Sequence, residues 1–217
     1  MDSANENEVN YFDRSEVSNS DLIELKRRLF NLPELPKKAL EFGTLLDAII
    51  TEPENYNVLT RTIKSTGLAY SIADVTKAKK MKASFLSNPL CSMFFNNANF
   101  QKVFAKNMKI KHEGFAFEMP MRCKYDFWIE SLGFGADLKS TAATSLSQFL
   151  QTIDFLDIDQ SRALYMDISG AKQDFILAVS KASPHLVFCV KIEKGDSIYK
   201  RGRDKYRALA FKKFMEL

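Results

Sequence analysis

Residues 121–139, MRCKYDFWIESLGFGADLK, decide the fold. With a period of two, Met121, Cys123, Tyr125, Phe127 and Ile129 fall on one face of an extended segment, while Arg122, Lys124, Asp126, Trp128 and Glu130 fall on the other. That alternation is expected of a half-buried strand. Ser131, Leu132 and Gly133 read as a tight turn, after which Phe134, Ala136 and Leu138 share one face and Gly135, Asp137 and Lys139 the opposite one. Paired as a hairpin, the two strands point their apolar faces into a core and bring Asp126, Asp137 and Lys139 together on the other side. Opposed strand residues have Cβ atoms only about 5 Å apart, so two carboxylates there repel unless a cation lies between them. A hard divalent ion such as Mg²⁺ prefers such an oxygen cluster. With an amine beside it, the arrangement is that of a metal-assisted phosphodiester hydrolase.

Length and composition fit that reading without forcing it. A chain of 217 residues, 46% hydrophobic and 27% charged, is ample for one globular domain with a real core. No apolar run approaches a membrane span, and the start MDSANENEVN is acidic and polar, unlike a signal peptide. The expected location is therefore the cytoplasm, with no membrane partner. Cys91, Cys123 and Cys189 are far apart and odd in number, which suggests neither a disulfide framework nor a zinc site. With His112 and His185 as the only histidines, histidine-based catalysis is disfavoured. The net charge of +4 is modest, but Lys200, Arg201, Arg203, Lys205, Arg207, Lys212 and Lys213 form a C-terminal basic run able to neutralise phosphates.

Taken in order, residues 1–17 are expected to be flexible. A helix starts at Ser18–Asp21 and runs to Phe30, and Pro36 opens a second one that closes near Pro53. Asp47 lies inside that second, apolar helix, where a carboxylate needs a partner. A Lys-rich helix spans about 72–86, and two shorter helices are expected before Asn107. Strands follow at about 109–118, 121–130 and 134–139, then helices at 145–155 and 158–168 with Gly170 as a stop. Two more strands, at 175–180 and 186–193, precede a basic helix from Ser197 to the end. The sequence predicts an α/β fold with a mixed central β-sheet flanked by helices. It forms a single domain over 18–217, with a helical part at 18–108 and a catalytic core at 109–217.

The order of these motifs resembles the PD-(D/E)XK nuclease superfamily, with its restriction-endonuclease-like core, and within it the RecE-like exodeoxyribonucleases of phages and prophages. Four stretches carry the resemblance: VSNSDL (17–22), EFGTLLDAIITEP (41–53), KYD with DLKST around Asp126, Asp137 and Lys139, and SRALYMD (161–167). The resemblance implies that Asp126 and Asp137 ligate Mg²⁺, or Mn²⁺ in its place, through their side chains, and that Leu138 contributes its carbonyl. Lys139 would orient the attacking water and stabilise charge on the phosphate. Where the family commonly places a histidine on its phenylalanine-glycine helix, this chain has Asp47, still an oxygen ligand for a hard cation.

A sharper departure concerns the family's Gln-x-x-x-Tyr helix, whose two side chains face DNA. Counting back from Tyr165 gives Ser161, with Gln160 one place early. Either Gln160 substitutes through a small shift or the contact is lost. Glu118, ahead of the hairpin, reads equally as a strand-end carboxylate or as a supporting group at the site. Basic groups around Arg203 and Arg207, with Tyr165, are expected to follow the DNA backbone without reading sequence. The resemblance further implies duplex DNA ends as substrate, 5′ to 3′ digestion, a ring-shaped homo-oligomer and a single-strand annealing recombinase as partner. Two alternatives stay open: an endonuclease of the same superfamily, and a nuclease fold without turnover that binds DNA or a protein.

Overall fold

The structure, a computed structural model, describes residues 11, 14–34 and 36–216. Helix α1 (Asn19–Phe30) starts at a reciprocal cap: the Asp21 amide donates to Ser18 Oγ at 3.3 Å, and the Ser18 amide donates to the Asp21 carboxylate at 2.7 Å. Pro36 is the N-cap of α2 (Lys37–Ile50). A 3₁₀ turn (Pro53–Asn55) and a small hairpin of β1 (Tyr56–Asn57) and β2 (Thr62–Ile63) lead to α3 (Ile72–Ser87) and α4 (Pro89–Asn97). Asn88 ends α3 and caps α4, accepting from the amides of Leu90 and Cys91 with Pro89 in the first turn.

The main sheet has five strands in sequence order: β3 (Asn99–His112), β4 (Phe115–Ile129), β5 (Phe134–Thr141), β6 (Gln173–Ser180) and β7 (Val187–Glu193). All neighbours are antiparallel except β5 and β6, which run parallel because α5 (Leu146–Phe155) and α6 (Ile158–Ser169) form the crossover between them. Helix α7 (Ser197–Phe214) closes the chain. The expected α/β class, a mixed sheet flanked by helices, is the one observed.

Two apolar cores, one on each face, hold the layers. The first gathers Met121, Cys123, Tyr125 and Trp128 of β4 with Ile176 and Ala178 of β6, under Leu22 of α1, Phe149 of α5, Leu164 of α6 and Tyr206 of α7. The second gathers Phe127 and Ile129 of β4, the β5 residues Phe134, Ala136 and Leu138, and Leu177 of β6, under Leu45 and Leu46 of α2, Phe85 of α3 and Phe94 of α4. Strand β4 therefore changes sides. Odd-numbered residues up to Tyr125 serve the first core, whereas Phe127 and Ile129 serve the second. The sequence reading kept all five on one face; the chain turns over at Asp126.

Other boundaries differ from expectation as well. The strand expected at 109–118 is two strands joined at Glu113 and Gly114, whose positive φ values (46° and 84°) make a tight hairpin turn of the kind that matches strand twist. The sheet begins at Asn99, so the expected boundary between helical part and core at 108/109 falls inside β3. Within the N-terminal stretch expected to be flexible, residues 1–10, 12 and 13 lie outside the described residues. Val17 is bridged to β4, its amide donating to Pro120 O and its carbonyl accepting from the Arg122 amide, each at 2.9 Å.

Candidate active site

Strands β4 and β5 pair at Ile129–Phe134, Trp128–Gly135 and Phe127–Ala136. Continuing that register would set Asp126 opposite Asp137, but the ladder stops one pair short. Close approach at the last paired rungs depends on Gly135, where a Cβ would lie 2.3 Å from the Tyr125 ring. Beyond it the strands part, and the Asp126 carboxylate accepts the Leu138 amide at 2.7 Å, a backbone donor left without its strand partner. Asp137 and Lys139 stay on β5 through its parallel pairing with β6.

Electrostatics dominate the slot so formed. Lys139 Nζ lies 2.5 Å from Asp137 Oδ2 and 3.4 Å from the Leu138 carbonyl. On the far side of Asp137 is Arg162 of α6, with Nη2 3.3 Å from Asp137 Oδ1 and Nη1 3.4 Å from Asp174 Oδ2. Arg162 is 0% exposed, and its guanidinium carbon lies 4.1 Å from the Tyr165 ring centroid. Burial works against ionising Asp137, but Arg162 and then Lys139 outweigh it and hold the carboxyl below its ordinary range. Burial, followed by repulsion from Asp137, pushes Asp126 up to about 6. Asp47 rises well above the ordinary range through burial and then the nearby Asp126. Burial also opposes the charge on Lys139, yet Asp137 and Asp126 hold its pKa above normal.

Of these groups, Asp47 and Lys139 border a cleft of about 530 Å³ between α2 and the α5–α6 region, while Asp126, Asp137 and Arg162 lie behind its wall. Asp47, Leu138, Lys139, Thr141, Thr152 and Lys181 are on its walls. Among the described residues, no group of three or more His, Cys, Asp or Glu side chains is placed to hold a metal ion. The donor set nevertheless suits a hard divalent cation. Asp126, Asp137 and Asp47 supply carboxylate oxygens and Leu138 a carbonyl. Asp137 Oδ2 is buried without an aligned hydrogen bond, despite its contact with Lys139. The raised Asp126 and Asp47 also mark carboxyls that a cation would relieve.

The other residues expected to meet DNA are placed differently. Gln160 is 0% exposed and donates to Asn19 Oδ1 at 2.9 Å; Ser161 is buried and donates to the Ile158 carbonyl at 2.8 Å. Neither side chain faces an open groove, because α6 is buried along most of its length. Tyr165 packs edge-on against Tyr125 and beneath Arg162. Arg203 is 3.2 Å from Asp167, and Arg203 and Arg207 line a groove beside Lys109, Lys111 and Glu118 that shares no lining residue with the Asp47–Lys139 cleft. Glu118 pairs with Lys109 at 3.5 Å and accepts from Asn107 at 2.8 Å, away from the slot. Much of the C-terminal basic run is matched internally. Arg201 pairs with Asp154 and Asp159, and Lys205 with Asp154, Asp157 and Asp159.

Arg162 is the functional-site residue that sequence reasoning did not single out. The only signal was an arginine at an apolar-flanked position of a helix that also carries Tyr165, and its acceptors, Asp137 and Asp174, lie on two other elements. Cys91 and Cys189 form another long-range pair, with Sγ atoms 3.8 Å apart although the residues are distant in sequence.

No protein-family model matches the chain, and no curated protein does. The fold is similar to that of a candidate exonuclease from Eubacterium rectale, with a TM-score of 0.57 and 15% identity over 88% of this chain and 73% of that one. A phage-related exonuclease from Haemophilus somnus aligns at a TM-score of 0.40 and 11% identity, over 91% of this chain and 84% of that one. The first likeness is one of fold. The shared feature is the five-stranded mixed sheet with its flanking helices.

Proposed function

We propose that this chain is a metal-dependent deoxyribonuclease that hydrolyses DNA phosphodiester bonds in the cleft between α2 and the α5–α6 region. The observation that carries this reading is the slot where β4 and β5 part, with Asp126, Asp137 and Lys139 gathered in it and Asp47 reaching it from α2. Support comes from the fold shared with the Eubacterium rectale candidate exonuclease. Mg²⁺ or Mn²⁺, held by Asp126, Asp137, the Leu138 carbonyl and Asp47, would lower the pKa of water and neutralise charge on the phosphate.

The chain's own groups do the rest. Lys139 offers a fixed ammonium at the edge of the cleft, where it orients the attacking water and stabilises charge developing on phosphate oxygens. Arg162 keeps Asp137 ionised and fixed from behind without reaching the cleft itself. Asp126 spans the gap between the strands and fixes Leu138, so that its carbonyl and its neighbours' side chains keep their relative positions.

From the motif order, the substrate is duplex DNA with free ends, digested 5′ to 3′ by a ring-shaped oligomer in the cytoplasm, working with a single-strand annealing recombinase in phage or prophage recombination. The test is direct. Purified protein with Mg²⁺ or Mn²⁺ degrades linear duplex, spares closed circular duplex, and stops in EDTA. Lys139→Ala loses most cleavage while still binding DNA. Equal cutting of circular and linear duplex makes the protein an endonuclease. Tight DNA binding without cleavage across several divalent metals would leave a DNA-binding module.

A further inference from the structure

Two cations near the cleft, Lys77 and Lys181, are matched by no acid among the described residues. Lys181 lines the cleft wall, and Lys77 projects from α3. Each ammonium lies 5.7 Å from the ring centroid of the same residue, Phe42 of α2. No hydrogen bond or ion pair of either ammonium is found among the described residues. That is unusual here, because other partly enclosed lysines are matched: Lys26 with Asp157, Lys139 with Asp137, Lys205 with three aspartates, and Lys82 with the Ile49 carbonyl at 2.7 Å. Asp74, three residues before Lys77, and Glu41, next to Phe42, are engaged elsewhere. Asp74 accepts from Ser71 Oγ at 2.6 Å at the start of α3, and Glu41 lies 3.8 Å from Lys37. Burial, and then the charge on Lys77, pull the Lys181 pKa below normal.

Each ammonium is attracted to the ring, but the two like charges repel one another, and an anion bound beside both would remove that repulsion. The position of Lys181 suggests which anion. Its amide donates to the Thr141 carbonyl at 2.7 Å, and Thr141 follows Lys139 by two residues along β5. At the rise of a strand that is roughly 7 Å, so a polyanionic chain lying over Lys139 passes Lys181 next. We propose that Lys77 and Lys181, set over Phe42, form a second phosphate-binding subsite at the edge of the cleft, holding a backbone phosphate of the DNA strand beside the one that meets Lys139. This assignment rests on the deoxyribonuclease reading and adds the residues that seat the uncut part of the strand.

The subsite is tested in EDTA, where no cleavage intervenes. Binding of a fluorescein-labelled linear duplex is followed by anisotropy across a salt series for three proteins. They are the wild type, the Lys77→Gln/Lys181→Gln pair, and a control Lys79→Gln/Lys80→Gln pair on exposed positions of the same helix. The first pair is expected to bind roughly tenfold more weakly than wild type, with the slope of log affinity against log salt flattened by about 0.9, the value of one lost phosphate contact. The control pair should keep the wild-type melting temperature and the Lys77/Lys181 pair should melt no more than about 2 °C lower, so that weaker binding is not a sign of unfolding. Equal affinity and slope in the two variant pairs would overturn the subsite while leaving DNA binding intact. In a parallel thermal-shift series, inorganic phosphate should stabilise the wild type but not the Lys77/Lys181 variant. If the wild type binds no DNA yet shows that lysine-dependent shift, the nuclease reading fails and the anion subsite stands. With neither DNA binding nor that shift, both fall.

Discussion

The Arg162 guanidinium stands 3.3 Å from the Asp137 carboxylate, fully buried, and reaches Asp174 with its other arm at 3.4 Å. One cation thus serves two carboxylates from different strands, and Asp174 is pushed up to about 7 by burial in spite of Arg162. Removing the cation strands both carboxylates. Arg162→Met should cost about 3–5 kcal/mol in urea unfolding at pH 7, as expected when one partner of a buried pair is lost. A loss under 1 kcal/mol would mean that Asp137 and Asp174 do not depend on this arginine for their charge.

Metal affinity should follow the ionisation of Asp126. Its folded pKa of about 6 stands above the ordinary carboxylate value near 4, so its protonated form persists through pH 5. Coordination needs the carboxylate. Mn²⁺ affinity, read by calorimetry, should rise steeply between pH 5 and 7 and level off by pH 8. Asp126→Asn should be weak throughout and much flatter with pH. A wild-type affinity constant from pH 5 to 8 would remove Asp126 from the ligand set.

Asp47 makes a prediction of opposite sign for stability. A carboxyl whose folded pKa lies above its unfolded one destabilises the fold. The cost is absent below the unfolded pKa, near 4, and grows as pH rises towards the folded value. In metal-free buffer, Asp47→Asn should therefore melt higher than wild type at pH 8 and no higher at pH 4. Each kcal/mol gained corresponds to about 2–4 °C for a chain of this size. Saturating Mn²⁺ should shrink or reverse the difference, because the wild type alone gains a ligand.

Helices α6 and α7 meet with no room for a side chain at Gly202, where a Cβ would lie 2.0 Å from the Asp159 carbonyl oxygen. Gly202→Ala must push α7 away from α6 and its buried acids. A loss of about 3 kcal/mol or more is expected, read as a large fall in the urea midpoint. A variant as stable as wild type would show that α7 can shift without loss.

The hairpin from Met121 to Lys139 was legible because its signals, alternation and a glycine turn, are local, but its faces were not, since the pairing stops before Asp126 and β4 turns over there. Most helices were legible too, since Ser18 and Gly170 mark ends in the sequence, but of the two short helices expected before Asn107 one is observed, Pro89–Asn97, and β3 takes the place of the other. Strand β3 was harder to read. Phe100 and Phe104, four residues apart, suit one face of a helix as well as one face of a strand, and the turn at Glu113–Gly114 was absorbed into a continuous alternation. Contacts between distant segments left no local trace. The pairing of Arg162 with Asp137, the approach of Cys91 to Cys189, and the neutralisation of Arg201 and Lys205 by the acids of 154–159 depend on how layers stack. The basic run therefore read as a phosphate-binding face, when much of it holds α7 to its neighbours.

The change of sides in β4 at Asp126 bears on how this chain can vary over generations. A strand that serves one core tolerates sliding by two residues, since every side chain returns to its own face. Here residues before Asp126 belong to one interior and residues after it to the other, so insertion or deletion of a single residue near 126 would exchange their allegiance. Length variation in the family tree of this protein should collect at the outer turns, around Glu113–Gly114 and Ser131–Gly133. The count of residues from Cys123 to Phe127 should stay fixed even where their identities drift.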